Sequence, residues 1–302
     1  MMKLRTVLVL ALLPLSSMAQ VSYGWQHTDV MNAWRSGFKG QGTTVHVHDQ
    51  FNGAPTSVDL NPGLALNQYA THGGMVSEVV RRTAPLANIE RRQWINGNIS
   101  LQAGRLNVIN ASYALIGSTN AGVVGFVRNQ MQLAPLAHAG AAVVVKAAGN
   151  SATSLSSVGG TGDVLNIALK GAKSVIFAGA LQSHSTQASS IRLGPWSFSV
   201  GGTVASRAWY SNTPGSDPEY QSKFLMVGVP SNMTVAGTSF AAPQISAYAA
   251  MVGSKFTQAT PEQVTNQLLN TARQDTIRGY NRAEHGMGEA SLSRALAPVA
   301  IR

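Results

Sequence analysis

The sequence predicts an α/β protein: a mostly parallel sheet with helices on both faces. Two observations point there. Apolar, β-branched runs alternate along the chain with stretches of helical character, the pattern of βαβ units. The composition is that of a chain with a sizeable core, 44% hydrophobic and 11% charged over 302 residues, with no cysteine. That composition excludes a disordered chain, disulfide bonds and cysteine metal sites.

The elements follow in order. Lys3 and Arg5 precede an apolar run from Val7 to Leu13, then Pro14 and Ser17-Met18-Ala19. This is the layout of an export signal cleaved after Ala19, and the run is too short for a permanent membrane span. Residues 20–302 carry no repeat, low-complexity stretch or linker and are expected to form one domain. Residues 20–42 read as an arm with a helical turn around Val30 to Ser36, closed by Gly37 and Gly40-Gln41-Gly42. Thr43 to Asp49 is a strand ending in a carboxylate, and His72 to Arg82 a helix that stops near Pro85. Asn88 to Trp94 and Leu106 to Ala111 are strands. A helical stretch from Gly122 to Ala139 leads to a strand over Ala141 to Ala147, and another strand covers Ser174 to Ala180. Near the end, Phe240 to Val252 has no breaker and reads as a buried helix with Ser239 in its first turn. Pro243 is placed in that turn too, where no intrahelical donor is lost. In parallel sheets function gathers beyond the carboxyl ends of the strands, which is where Asp49 and Ala148-Gly149-Asn150 fall.

Charge adds an exclusion. Lys plus Arg is 22 against 12 for Asp plus Glu, a net +10. The excess is scattered, with Arg81-Arg82 and Arg91-Arg92 its only doublets, so no basic stripe for nucleic acid exists. Nothing in the sequence fixes an oligomeric state.

Four positions carry candidate chemistry. Asp49 ends a strand, His72 in Thr71-His72-Gly73-Gly74 opens a helix, Asn150 follows a strand, and Ser239 opens the late helix. A serine so placed has its hydroxyl beside unpaired N–H groups and the positive end of a helix dipole, although helix-start serines also serve as plain caps. With its flanks the set resembles the subtilisin-like serine peptidases (subtilases). Gly40-Gln41-Gly42 through Asp49 resembles the family's first strand, and His72-Gly73-Gly74-Met75-Val76 its histidine block. Val108 to Ser112 resembles the substrate-cleft strand, and Val145 to Asn150 the oxyanion block. Gly237-Thr238-Ser239-Phe240-Ala241-Ala242-Pro243 is similar to the nucleophile block almost letter for letter, and Thr260-Pro261-Glu262-Gln263-Val264 to a late helix.

The resemblance implies a three-layer subtilisin-like fold and an exported serine endopeptidase, secreted or periplasmic, acting on protein or peptide substrates. Ser239 would be the nucleophile, His72 the general base, Asp49 its orienting carboxylate and Asn150 an oxyanion donor, in the chain order Asp, His, Ser. Ser112 and Tyr113 would line the substrate site, with Tyr113 either narrowing it or packing outward.

The departures are specific. Gln50-Phe51 stands where the family has a small hydroxyl residue and glycine, and Gly74-Met75 where it has Thr and His. His46 and His48 replace apolar strand residues, and Tyr113-Ala114 replaces Leu-Gly. The ten residues from Ile95 to Gly104 are too few for a full crossover helix. The short span between Ala19 and the core leaves no room for the family's inhibitory propeptide.

Two further readings stay open. A fold relative that binds peptide without cleaving it is suggested by Gln50-Phe51. A metal-dependent hydrolase is suggested by His46 and His48, two apart on a strand and so on one face. No cofactor is required, and calcium finds no compact ligand run: Asp163, Asp217 and Glu219 are loose candidates only.

Overall fold

The computed structural model describes residues 24–52, 71–94, 98–157, 159–193, 196–229 and 237–301, excepting the side chains of 24–27 and 183–204. The expected export signal over residues 1–19 lies outside these. The chain runs α1 (Gly24–Arg35), β1 (Thr43–Asp49), α2 (His72–Thr83), β2 (Asn88–Gln93), β3 (Leu106–Ala111) and β4 (Ile116–Ser118). Then come α3 (Ala121–Gln130), α4 (Leu133–Ala139), β5 (Val143–Ala147), β6 (Thr161–Asp163), α5 (Val164–Ala168), β7 (Val175–Leu193) and β8 (Trp196–Arg207). The last elements are α6 (Pro218–Ser222), β9 (Phe224–Gly228), α7 (Thr238–Lys255), α8 (Pro261–Asn270), α9 (Arg282–His285) and α10 (Leu292–Leu296).

Six strands form a parallel sheet in the order β2-β1-β3-β5-β7-β9. Beyond Leu181, β7 leaves β9 and pairs antiparallel with β8, so this strand is far longer than the Ser174–Ala180 segment expected. Its second half is polar in sequence and pairs along its length with β8. β4 and β6 make a small antiparallel ribbon of their own.

Alternation along the strands divides the core in two. Val45, Val47, Val143, Val145 and Ile176 face the layer that contains α2 and α7. Ile109, Val144, Val175 and Phe177 face α3, α4 and α5. The result is a sheet between two helical layers, as the sequence predicts. Helix starts carry their own signals: Thr71 accepts from Gly74 N on α2, and Thr260 and Gln263 form a capping box on α8 behind Pro261. The expected single helix over 122–139 is two, separated at Met131-Gln132.

β2 and β3 flank β1 on opposite sides, so the chain crosses over β1 between them. The described part of that crossover, 98–105, contains no helix. The face of β1 beneath it is polar. His46 Nε2 lies 3.0 Å from Asn107 Oδ1 and its Nδ1 3.3 Å from Glu90 Oε2. Gln102 donates to Asn107 Oδ1 from its N–H at 2.8 Å and to Glu90 Oε1 from its side chain at 2.8 Å. A short irregular segment cannot supply the apolar cover of a helix, and polar side chains that bond mainly to one another fill the face instead.

One ion pair crosses the other layer. Lys146, fully buried on β5, places Nζ 2.9 Å from Asp163 Oδ2. Asp163 Oδ1 also accepts from Leu115 N and Leu165 N, tying the approach to β4 to the start of α5. Asp163→Ala would strand a buried ammonium, so a loss of about 3–5 kcal/mol of stability is expected in urea unfolding. Replacing Lys146 and Asp163 together by Met and Asn, which keeps an acceptor for Leu115 N and Leu165 N, should cost much less.

Candidate active site

The carboxyl end of β1 delivers Asp49, whose side chain is 1% exposed, and the start of α2 delivers His72. His72 Nδ1 sits 2.7 Å from Asp49 Oδ1, which also accepts Gln50 N at 2.7 Å. Because a carboxylate only accepts, Nδ1 carries the proton, and in the neutral ring Nε2 keeps its basic lone pair. Asp49 Oδ2 has no partner among the described residues.

The unusual pair Gln50-Phe51 has a structural use. Gln50 accepts Gly73 N on its carbonyl at 3.0 Å, and Phe51 donates its N–H to Gln93 Oε1 at 2.9 Å. The Phe51 ring then covers Gly73, where an added Cβ would come within 2.7 Å of it. Backbone groups and one aromatic ring thus fasten the start of α2 to the end of β1.

Ser239 is the second residue of α7, and its hydroxyl donates to the Ser112 carbonyl at 3.0 Å. Ser112 Oγ in turn donates to the Ser239 carbonyl at 3.0 Å. The proline explains this reciprocity and corrects the expected placement. α7 starts at Thr238, so Pro243 falls in the second turn and lacks the N–H that the Ser239 carbonyl would receive. Ser112 supplies the missing donor. Asn110 Nδ2 donates to Ser112 Oγ at 2.9 Å, and Ser246 Oγ of α7 donates to Asn110 Oδ1 at 3.2 Å. His72 lies near the start of α7, its ring centroid 6.1 Å from that of Phe240, the residue after Ser239.

Asn150 is held by a residue that sequence reasoning missed. Its Oδ1 accepts both the N–H and the hydroxyl of Thr238 at 2.9 Å, and Thr238 Oγ1 accepts Gly149 N at 3.0 Å. Asn150 is exposed, and with Oδ1 committed its NH₂ group is the end left to donate. Nothing in the sequence distinguishes Thr238 from an ordinary turn residue. Tyr113 packs between the rings of His48 and Trp94, with its hydroxyl 2.8 Å from His48 Nδ1. Burial pushes that hydroxyl far above the usual tyrosine range.

The metal and calcium candidates have other partners. His46 meets Glu90 and Asn107, and His48 meets Tyr113. Asp163 pairs with Lys146, and Asp217 with Lys170 at 2.5 Å; Glu219 lies 3.7 Å from the same ammonium. The hydrogen bond from Lys170 holds the Asp217 carboxyl below its ordinary range. An ammonium occupies the place a cation would need, so these carboxylates do not fit calcium. Among the described residues no cluster of three ligating side chains occurs.

The site therefore joins Asp49 to His72, Ser239 to Ser112, and Asn150 to the helix start beside Ser239. An imidazole backed by a carboxylate, a hydroxyl at a helix N-terminus and a free amide donor are the parts of an acyl-transfer centre. Ser112→Ala leaves the Ser239 carbonyl, which Pro243 cannot serve, without its donor. A loss of about 1–3 kcal/mol in unfolding free energy is expected, with thermal denaturation as the check.

A model of the subtilase family matches residues 79–289, which takes in Ser112, Asn150 and Ser239 and leaves Asp49 and His72 before its start. No curated protein matches the sequence. Among solved structures, a lanthipeptide protease superposes with a TM-score of 0.57 at 17% identity, covering 90% of this chain and 93% of that one. The prenylagaramide maturation protease PagA gives 0.53 at 16% identity, covering 88% and 96%. A psychrophilic protease, S41, gives 0.52 at 16% identity, covering 84% and 92%. At these identities the likeness is one of fold.

Proposed function

This chain belongs to the subtilase family and is a serine-type endopeptidase, and we propose that it is exported and cleaves peptide bonds through an Asp49-His72-Ser239 triad. The observation that carries the proposal is the 2.7 Å bond between His72 Nδ1 and the buried Asp49, which leaves Nε2 as the ring's base, in an imidazole that packs near Phe240 at the start of α7. In the proposed reaction the Ser239 hydroxyl turns from the Ser112 carbonyl to His72 Nε2. Oγ attacks the substrate carbonyl as Nε2 takes its proton, and Asp49 stabilises the imidazolium. Negative charge on the carbonyl oxygen is received by the Asn150 NH₂ group and the Ser239 N–H, which has no intrahelical acceptor at the second position of α7. The tetrahedral adduct collapses as His72 protonates the departing amine. Water, deprotonated by the same imidazole, then releases the acyl group from Ser239.

Export rests on the charged, apolar and small-residue succession of residues 1–19. Among the described residues no helix is long and apolar enough to cross a membrane. Protein or peptide is the substrate class that goes with the family. Two observations favour a second reading, a peptide-binding protein without turnover: the Ser239 hydroxyl donates to the Ser112 carbonyl, and Asp49 Oδ2 lacks a donor among the described residues.

A fluorophosphonate probe separates the two. Wild type should be labelled, and Ser239→Ala and His72→Ala should abolish labelling with the fold intact. Asn150→Ala should lower kcat by about 10²–10³, the loss known for the equivalent donor in subtilisin, a member of this family. A folded, unlabelled wild type would overturn the triad, and binding of a peptide to it without cleavage would then support the second reading.

A further inference from the structure

The turn that follows β8 touches both halves of the proposed anion site. Asn212 Oδ1 accepts the N–H groups of Ser151 at 3.0 Å and Thr153 at 3.1 Å, and its Nδ2 donates to the Ala148 carbonyl at 2.9 Å. Its N–H donates to Gly149 O at 3.0 Å, and Ala152 N donates to Tyr210 O at 2.8 Å. The loop carrying Asn150 is thus fastened on either side of that residue. The fit requires glycine at 149: its φ is +111°, and a Cβ there would stand 2.4 Å from Asn212 Nδ2.

Two residues earlier in the same turn, the buried Tyr210 reaches the other half. Its hydroxyl accepts Gly237 N at 2.9 Å. Gly237 immediately precedes α7, has φ +139°, and has no side chain with which to cap the helix. The residue that aims the Thr238 and Ser239 N–H groups is therefore held from outside, by a phenol whose ring packs in the core with α7. The turn itself is anchored in the sheet: Ser211 Oγ accepts Ala180 N at 3.0 Å, and Arg207 donates to Ser211 O at 2.9 Å.

We infer that the Tyr210–Asn212 turn is a positioning element that, together with the direct Asn150–Thr238 contacts, sets the separation of the two oxyanion donors, Asn212 holding the Asn150 loop and the Tyr210 hydroxyl holding the start of α7. The inference rests on the peptidase reading above. Neither side chain donates to the substrate oxygen; each acts through the donor it holds. Because one short turn carries both contacts, displacing either end changes the same distance. Geometry of this kind matters most when charge develops on the carbonyl oxygen, and least for ground-state binding.

Tyr210→Phe deletes one oxygen atom and keeps the buried ring, and Asn212→Ser shortens the other contact. Each variant is expected to lower kcat and the rate of fluorophosphonate labelling by about tenfold, the scale of one net hydrogen bond, with KM changed less than about twofold. The inhibition constant of a peptide aldehyde, whose adduct places an oxyanion in the site, should rise by a similar factor. The double variant should lose less than the product of the single losses, because the two contacts serve one distance. Labelled wild type with Tyr210→Phe at the wild-type rate overturns this inference alone, as does a loss confined to KM. A folded wild type that does not label overturns the peptidase reading and this inference with it. Should Asn212→Ser fail to fold, Tyr210→Phe decides the matter.

Discussion

A helix that must contain a proline and still present a serine at its start is the constraint around which this site is arranged. Pro243 removes the N–H due to the carbonyl of the half-buried Ser239 at the helix start. A carbonyl without its ladder partner needs another donor. It comes from Ser112, one residue beyond β3, and Asn110 and Ser246 complete a path from α7 into β3 and back to α7. The break in the helix ladder thus becomes a tether between the helix and the strand end that flanks Ser239. With α7 fixed in this way, its N-terminus has a defined place relative to β1, and the imidazole on α2 can be set against it.

The polar face of β1 is the cost of a short crossover. An apolar strand face needs a helix or a second sheet to exclude water, and the segment between β2 and β3 offers neither among the described residues. His46, Glu90, Gln102 and Asn107 fill that face with polar groups bonded to one another. The same logic reaches the site through His48, which bonds Tyr113 on the strand end that carries Ser112. Residues that look like metal ligands in a sequence are, in the fold, the polar substitute for a missing helix.

How much of this could be read from the chain depends on range. Strand β1 ends at Asp49 and strand β3 spans Leu106 to Ala111, as expected, because β-branched runs and flanking breakers are local signals. The positions of Asp49, His72, Asn150 and Ser239 were legible because each stands at an element boundary with characteristic neighbours. The register of Pro243 was not, since it turns on where α7 begins, and Gly237 and Thr238 resemble an ordinary turn. Thr238, Tyr210 and Asn212 were invisible for a different reason. Each works by a hydrogen bond to a residue at least 27 positions away, and no spacing rule records such a contact. The long β7–β8 hairpin escaped because its polar half is held by pairing with β8 and not by an apolar pattern.

Gln50-Phe51 shows how a departure from a family pattern can move a function from side chain to backbone. A small hydroxyl after the aspartate would support the carboxylate through its own oxygen. Here the Gln50 N–H takes one carboxylate oxygen, the Gln50 carbonyl takes Gly73 N, and Phe51 presses on Gly73 from the side. Backbone donors are harder to misplace than a rotatable hydroxyl, so the orientation of His72 is secured. What the exchange does not supply is a donor for Asp49 Oδ2 among the described residues. With one carboxylate oxygen unserved, the hydrogen-bonding demand falls on the oxygen shared by Gln50 and His72. The imidazole is then the only side chain among the described residues that answers the buried charge of Asp49, and the pair is held together as much by that demand as by the helix that delivers His72.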